Sequence, residues 1–198
     1  GDRERLGQSL RAETGIPPDA VLFGLVTSGD FEKRGLPVFL KAFAAVAREC
    51  PQARALVAGK EARPGPYLRL AAELGISDKV ILRQPATEVE RLYHALDVYV
   101  HAARWEEFGM TVLEALACGV PVLTGRSVGA CELLSGEARE GILDDLSPEV
   151  LAAAMLPLAR EPERRARRAA LGPAAAAPCA WPRHAHSVLA LYERLTKK

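Results

Sequence analysis

Residues 101–129 of the 198-residue chain, HAARWEEFGMTVLEALACGVPVLTGRSVG, contain the change of pattern that decides the fold. The β-prone run Val98–Val100 precedes this stretch, and charged residues interrupt it as far as residue 107. Good helix formers occupy residues 108–118, a glycine ends them, and Pro121 begins a second apolar run. The stretch therefore predicts a strand, a loop, a helix and a second strand.

The predicted helix is apolar on every side, which is typical of a buried helix. Glu114 lies in its second turn, where a carboxylate needs a partner or an opening to water. Glu106 lies in the loop before it, and the free N–H groups of Phe108, Gly109 and Met110 should form an anion site at the helix N-terminus. This pattern predicts a cradle for a phosphate flanked by hydroxyl-bearing groups. The alternative is a buried helix with one capping and one core glutamate.

Outside this stretch, apolar runs of strand length alternate with helical segments. The predicted strands are residues 21–27, 53–58, 79–82, 98–101, 121–124 and 141–143. Alternation of this kind predicts βαβ units of the α/β class, in a Rossmann-like, doubly wound parallel sheet. Ligands of such sheets bind outside the carboxyl ends of the strands.

Composition narrows the class of protein. A hydrophobic content of 49% allows a substantial core, and a formal net charge of +1 predicts no nucleic-acid partner. The four cysteines are widely spaced with no C-x-x-C, which favours reduced thiols and a cytoplasmic protein. No apolar run is long enough to span a membrane.

Glu106 and Glu114, with Phe108 and Gly109 between them and ALACGVPVL after them, resemble the donor-site motif of the retaining GT-B glycosyltransferases of group 1. Within that family the sequence is most similar to the glucosyltransferases of the lipopolysaccharide core. The resemblance covers about residues 20–196. It implies the C-terminal, donor-binding half of an enzyme that transfers a hexose, with retention, from a nucleotide diphosphate sugar to lipopolysaccharide or another glycan acceptor. The donor that it implies is UDP-glucose.

The resemblance also implies roles for individual residues. Glu106 would orient the donor sugar and Glu114 would bind the ribose diol, while the amides of residues 108–110 would meet the sugar and diphosphate. The family holds the nucleotide base along the segment that contains Arg83 and Pro85. Catalysis in the family is independent of metal, so neither a metal nor a cofactor other than the donor is expected.

Two basic loops follow the first two predicted strands. One carries Lys33 and Arg34, and the other carries Lys60 and Arg63. A fixed cation at this edge can stabilise the charge of a departing nucleoside diphosphate. Many relatives have arginine where Asp30 stands, so either residue of the first pair would supply the cation. Lys60 is slightly favoured over Arg63 in the second pair.

The predicted domain organisation has three parts. Residues 1–19 form a linker from a missing N-terminal domain that would bring the acceptor, and residues 20–178 form the nucleotide-sugar-binding domain. Residues 179–198 contain a helix that would pack on the missing domain and here expose an apolar stripe. The charge run at residues 160–168 is either a solvated helix face or a contact with an anionic membrane. The second alternative predicts peripheral binding to the inner face of the cytoplasmic membrane.

Two alternative functions stay open. A nucleotide-sugar epimerase shares the fold, and a non-catalytic nucleotide-sugar-binding or interaction domain could keep the scaffold. The chain alone is expected to bind nucleotide weakly and to transfer nothing. His101, at the end of the fourth predicted strand, is either a donor-site hydrogen-bonder or a satisfied strand-end histidine.

Overall fold

A computed structural model describes residues 2–84 and 88–196 and shows a six-stranded parallel sheet in the order β3-β2-β1-β4-β5-β6. The strands are β1 (Val21–Val26), β2 (Ala53–Ala58), β3 (Val80–Arg83), β4 (Val98–His101), β5 (Val122–Gly125) and β6 (Ile142–Leu143). The predicted α/β class and the doubly wound parallel sheet are confirmed.

Eight α-helices lie along the described part of the chain. They are α1 (Asp2–Glu13), α2 (Leu36–Glu49), α3 (Gly65–Glu73), α4 (Val89–Ala95), α5 (Met110–Ala117), α6 (Pro148–Arg160), α7 (Pro162–Ala176) and α8 (Trp181–Thr196). Short 3-10 segments cover Gly129–Leu133, Gly136–Gly141 and Ala177–Cys179.

The sheet separates two apolar cores. In β1, Phe23 and Leu25 pack in the core with α2 and α6, whereas Leu22 and Val26 point to the opposite core with α1, α4 and α5. All six residues of β1 are buried. A strand covered on both faces explains why its sequence is a continuous apolar run rather than an alternating one.

The order of the strands changes direction between β1 and β4. Phe23 pairs with Val98 and Gly24 pairs with Tyr99, although the two strands are separated in sequence by β2 and β3. The connections that follow β1 and β4 lead to opposite sides of this point, which leaves a crevice between them. Doubly wound sheets bind their ligands in a crevice of this kind. The loops after β1 and β4 are therefore neighbours.

The N-terminal segment packs on the sheet. Leu10 and Ile16 are buried in the core that α4 and α5 share. The guanidinium of Arg11 donates to the carbonyls of Ala20 at 3.0 Å and Ala95 at 2.9 Å. Residues 2–16 are thus attached to the same unit as the strands, while the predicted domain boundaries stay predictions.

The structure corrects the expectation of a fully buried central helix. Helix α5 begins at Met110 rather than Phe108, and only one of its faces packs on the sheet. Val112 and Ala115 are buried, but Met110 and Ala117 are exposed. The loop before α5 lies at the open edge of the sheet, which is why the start of the helix reaches solvent.

The charge run at residues 160–168 is largely engaged with the protein. Arg168 is buried and donates to the carbonyl of Val122 at 2.6 Å. Arg165 donates to the carbonyl of Leu158 at 2.7 Å, and Arg164 pairs with Glu140 at 3.1 Å. Membrane contact by this run stays a prediction. Within residues 2–84 and 88–196, no helix has both the length and the apolar character to cross a membrane.

Candidate functional site

A cleft of about 310 Å³ opens at the carboxyl ends of β1 and β4. It is lined by Val26, Thr27, Ser28, Arg34, His101, Glu106, Glu107, Phe108, Gly109, Met110 and Thr111. The loop after β1 contributes one wall, and the loop between β4 and α5 contributes the other. The structure therefore brings one basic residue, the first predicted glutamate and the predicted helix N-terminus to one cavity.

Arg34 is the cation of this cleft. Its guanidinium forms an ion pair with the carboxylate of Glu106, and both side chains are mostly buried. Lys33 instead pairs with Asp30 at 3.1 Å, and its side chain is 83% exposed. The structure thus separates the two basic residues of the first loop and places Arg34 alone in the cleft.

Backbone contacts fix both partners of the ion pair. Gly35 has a φ of 74°, and a Cβ at this position would lie 2.1 Å from the carbonyl oxygen of Ala102. The turn that carries Arg34 can therefore approach β4 only because residue 35 is glycine. The N–H of Glu106 donates to the carbonyl of Ser127 at 3.1 Å, and the N–H of Gly129 donates to the carbonyl of Glu106 at 3.2 Å.

The N-terminus of α5 presents free amides to the cleft. Gly109 caps the helix with a φ of 88° and a ψ of 63°. No hydrogen bond among the described residues uses the N–H of Phe108, Gly109 or Met110. These donors and the positive end of the helix dipole favour an anion such as a phosphate.

Glu114 has a partner that sequence reasoning missed. The hydroxyl of Tyr93 donates to its Oε2 at 2.7 Å. Burial, followed by the nearby Tyr99 and Glu114, raises the pKa of Tyr93, so the phenol stays protonated and keeps donating. Tyr93 lies on α4, in no recognisable motif, so no signal in the sequence pointed to it. Glu114 is half-buried and is not among the residues that line the cleft.

His101 lies at the end of β4 and lines the cleft. It is 2% exposed, and its ring stacks on Tyr99 with ring centroids 6.4 Å apart and an angle of 14° between the planes. Burial, and then the positive charge of Arg34, lowers the pKa of His101 from 6.5 to about 4. Its Nε2 is buried and has no hydrogen-bond partner among the described residues. Of the two alternatives for His101, a satisfied strand-end histidine does not fit this nitrogen, and the role of donor-site hydrogen-bonder stays a prediction.

The second basic loop borders a different cavity. Lys60 and Arg63 line a space of about 520 Å³ with Asp30, Glu61 and Tyr67. The carboxylate of Glu61 accepts from the N–H of Arg63 at 2.9 Å. Neither Lys60 nor Arg63 lines the cleft of Arg34, and their predicted contact with the diphosphate stays a prediction.

The predicted base-binding segment is only partly described. Arg83 ends β3, and its guanidinium pairs with Glu13 of α1 at 3.2 Å. Its carbonyl accepts from the N–H of Gly59 at 3.2 Å. Pro85 lies outside the described residues. In the described ranges, no group of three or more histidine, cysteine, aspartate or glutamate side chains is arranged to hold a metal ion.

Comparison with known proteins decides the family. Residues 8–174 match the family described as glycosyl transferases group 1. The chain belongs to this family. The predicted resemblance is thus confirmed, and the matched range includes the cleft and every strand of the sheet.

Similar proteins extend well beyond the length of this chain. A D-inositol 3-phosphate glycosyltransferase of Segniliparus rotundus is 30% identical over 191 residues, which are 93% of this chain and 42% of that protein. The lipopolysaccharide core biosynthesis mannosyltransferase LpsB of Rhizobium meliloti is 37% identical over 134 residues, covering 62% of this chain and 37% of that protein. The chain spans less than half the length of these two relatives.

A solved structure agrees on the fold. The Anabaena protein HepE, determined in complex with UDP and glucose, superposes with a TM-score of 0.75 at 22% identity. The match covers 87% of this group 1 chain and 47% of HepE. The shared fold is the Rossmann-like α/β sheet expected for the C-terminal half of a GT-B glycosyltransferase.

Proposed function

We propose that this group 1 domain binds the nucleotide diphosphate sugar donor of a retaining hexosyltransferase, and that the donor is UDP-glucose. The observation that carries the proposal is the cleft in which Arg34, Glu106 and the free amides of α5 meet at the carboxyl edge of the sheet. The complex of HepE with UDP and glucose supports the choice of nucleotide and sugar.

Each part of the cleft has a task in this proposal. The amides at the start of α5 and the guanidinium of Arg34 hold the diphosphate and stabilise its charge as the bond to the sugar breaks. Glu106 positions the hexose and keeps Arg34 directed into the cleft. Glu114, which is bonded to Tyr93 and does not itself line the cleft, offers its remaining oxygen to the ribose diol of the bound donor.

The transfer step needs no additional reagent. The acceptor hydroxyl oxygen bonds to the anomeric carbon on the face that the diphosphate leaves, and the carbon–oxygen bond to the diphosphate breaks. The hydroxyl proton passes to an oxygen of the departing phosphate. The donor phosphate thus serves as the base, and the new bond keeps the configuration of the old one.

For the acceptor we propose a lipopolysaccharide or another glycan, which the similarity to LpsB supports. A second candidate is an inositol phosphate, because D-inositol 3-phosphate glycosyltransferases recur among the curated relatives. Transfer to either acceptor belongs to the longer protein. The anomeric configuration of its product, read by NMR, tests retention.

Calorimetric titration of the 198-residue chain with UDP, ADP and GDP tests the donor site. We expect UDP to bind, and Arg34→Met to weaken it by about 1.5–3 kcal/mol through loss of a charged hydrogen bond. Lys33→Met is the matched control, because Lys33 is exposed and paired with Asp30. Equal losses in both variants, or no binding of any nucleotide by the parent chain, would contradict the proposed donor site.

The two alternative functions give different results. An epimerase would convert a UDP-sugar in the absence of any acceptor, which NMR of the sugar would detect. A non-catalytic scaffold would bind no nucleotide even in the full-length protein. Glu114→Ala adds a test of the ribose contact. Loss of the Glu114 carboxylate should weaken the binding of UDP by ~1–3 kcal/mol.

A further inference from the structure

The proposed donor cleft holds an almost completely buried histidine to which the family motif gives no task. His101 lines the cleft beside Arg34 and Glu106, yet its side chain is almost completely buried. Its Nε2 is fully enclosed and has no hydrogen-bond partner among the described residues. Leaving a buried polar atom without a partner costs stability, and a hydrogen bond to a ligand in the cleft would remove that cost.

The surroundings fix the position of this ring. Its plane stacks on Tyr99 at 14°, and the hydroxyl of Tyr99 donates to the carbonyl of Val26 at 3.2 Å. The imidazole thus packs against a tyrosine that is itself hydrogen-bonded to β1. Burial, and then the positive charge of Arg34, lowers the pKa of this ring and keeps the imidazole neutral.

A neutral imidazole differs from the charged side chains and the backbone amides of the cleft. It carries one N–H donor and one nitrogen acceptor, whereas Arg34 and the α5 amides only donate and Glu106 only accepts. A sugar hydroxyl also donates and accepts at one oxygen, so it can form either kind of hydrogen bond with such a ring. A diphosphate offers acceptors alone and is better matched by Arg34 and the amides.

We propose that His101 recognises a hydroxyl group of the donor hexose and so contributes to sugar selection in this cleft. This inference rests on the proposed donor site. His101 is aligned with Thr124 of β5, whose Oγ1 is also buried and unpartnered among the described residues but which does not line the cleft.

The test compares UDP and UDP-glucose, because their difference isolates the sugar. Both are titrated calorimetrically into the parent chain and into His101→Phe, which keeps a stacking ring but removes both nitrogens. We expect His101→Phe to bind UDP as tightly as the parent and to bind UDP-glucose about tenfold more weakly, the effect of one lost hydrogen bond. His101→Gln and His101→Asn restore a polar atom near Nε2 or Nδ1, and one of them should recover part of the loss.

Thr124→Val is the matched control, since it removes a buried polar atom from the same layer without touching the lining of the cleft. It should leave the affinities for UDP and UDP-glucose unchanged. Equal weakening of both ligands in His101→Phe, or an unchanged preference for UDP-glucose, overturns the role of His101. Failure of the parent chain to bind UDP overturns the donor site itself, so the two failures are distinguishable.

Discussion

The neutral state of His101 links the cleft to the stability of the fold. Its pKa is about 4 in the folded chain and near 6.5 when the group is solvated. Because folding lowers this pKa, protons bind more readily to the unfolded chain, and the stabilisation is complete above pH 6.5 and is lost as the pH falls through 4. We therefore predict that the free energy of unfolding decreases by about 2–3 kcal/mol over this range.

Urea denaturation of the parent chain and of His101→Phe at several pH values measures this contribution. The variant should show a shallower decrease between pH 6.5 and pH 4. Asp30 and Asp145 affect the stability only at lower pH, because hydrogen bonds from Lys33 and Ser147 lower their pKa values from 3.8. Parallel profiles for the two proteins would show that His101 is not the titrating group.

Gly35 allows a second test at the level of one residue. Gly35→Ala adds a methyl group where the carbonyl oxygen of Ala102 would be 2.1 Å away, in a backbone region with a φ of 74°. Gly75→Ala is the control, since Gly75 has a φ of 70° but a Cβ there would meet no atom within 4 Å. We predict a loss of ~1–2 kcal/mol for the control and a larger loss for Gly35→Ala, measured by urea denaturation. Equal losses would mean that the approach to β4 is not tight.

At the level of elements, the side chain of Arg168 links α7 to the first residue of β5 by a hydrogen bond. Its guanidinium donates to the carbonyl of Val122 at 2.6 Å in a buried position. Arg168→Met should lower the free energy of unfolding by ~1–3 kcal/mol, because the buried carbonyl of Val122 then loses its hydrogen bond from the guanidinium. Arg167→Met changes an exposed neighbour and should stay within about 0.5 kcal/mol. Thermal and urea unfolding measure the stability of the two variants. Similar losses of stability in both would contradict the role of the Arg168 hydrogen bond.

The elements differ in how well their sequences predict them. The strands follow from continuous apolar runs, and the end of α6 near Pro162 follows from proline chemistry. Helix α6 continues through Pro157, where a local pattern indicates a break, and it packs along α2. Helix α7 also extends to Ala176 through Gly172 and Pro173, a pair that in a local sequence pattern is typical of a turn.

The residues of the site also differ in how well the sequence predicts them. Glu106 and the amides before α5 were found from spacing, since these neighbours in sequence are neighbours in space. The choice of Arg34 over Lys33 depends on which side of a turn each residue occupies, and the contact between Tyr93 and Glu114 joins two separate helices. Relationships of this kind are set by tertiary packing and are not visible in a local pattern.

For the whole molecule, α8 is the element that contributes least to the core. All of its residues are exposed, including the predicted stripe of Val188, Leu191, Tyr192 and Leu195. Removal of residues 181–198 should therefore change the free energy of unfolding by less than about 0.5 kcal/mol and should reduce self-association. Urea denaturation and sedimentation velocity measure the two effects. A loss of several kcal/mol would show that α8 packs on the domain in solution.

The adjacency of β1 and β4 has a consequence for protein engineering. Arg34 belongs to the first half of the chain and Glu106 to the second, and their contact exists only where these two strands pair. A chain divided between β3 and α4 would distribute one binding cleft over two polypeptides. A molecule that touches both walls would then hold the fragments together, so complementation of the two halves would report the nucleotide sugar that we propose as the ligand of this cleft.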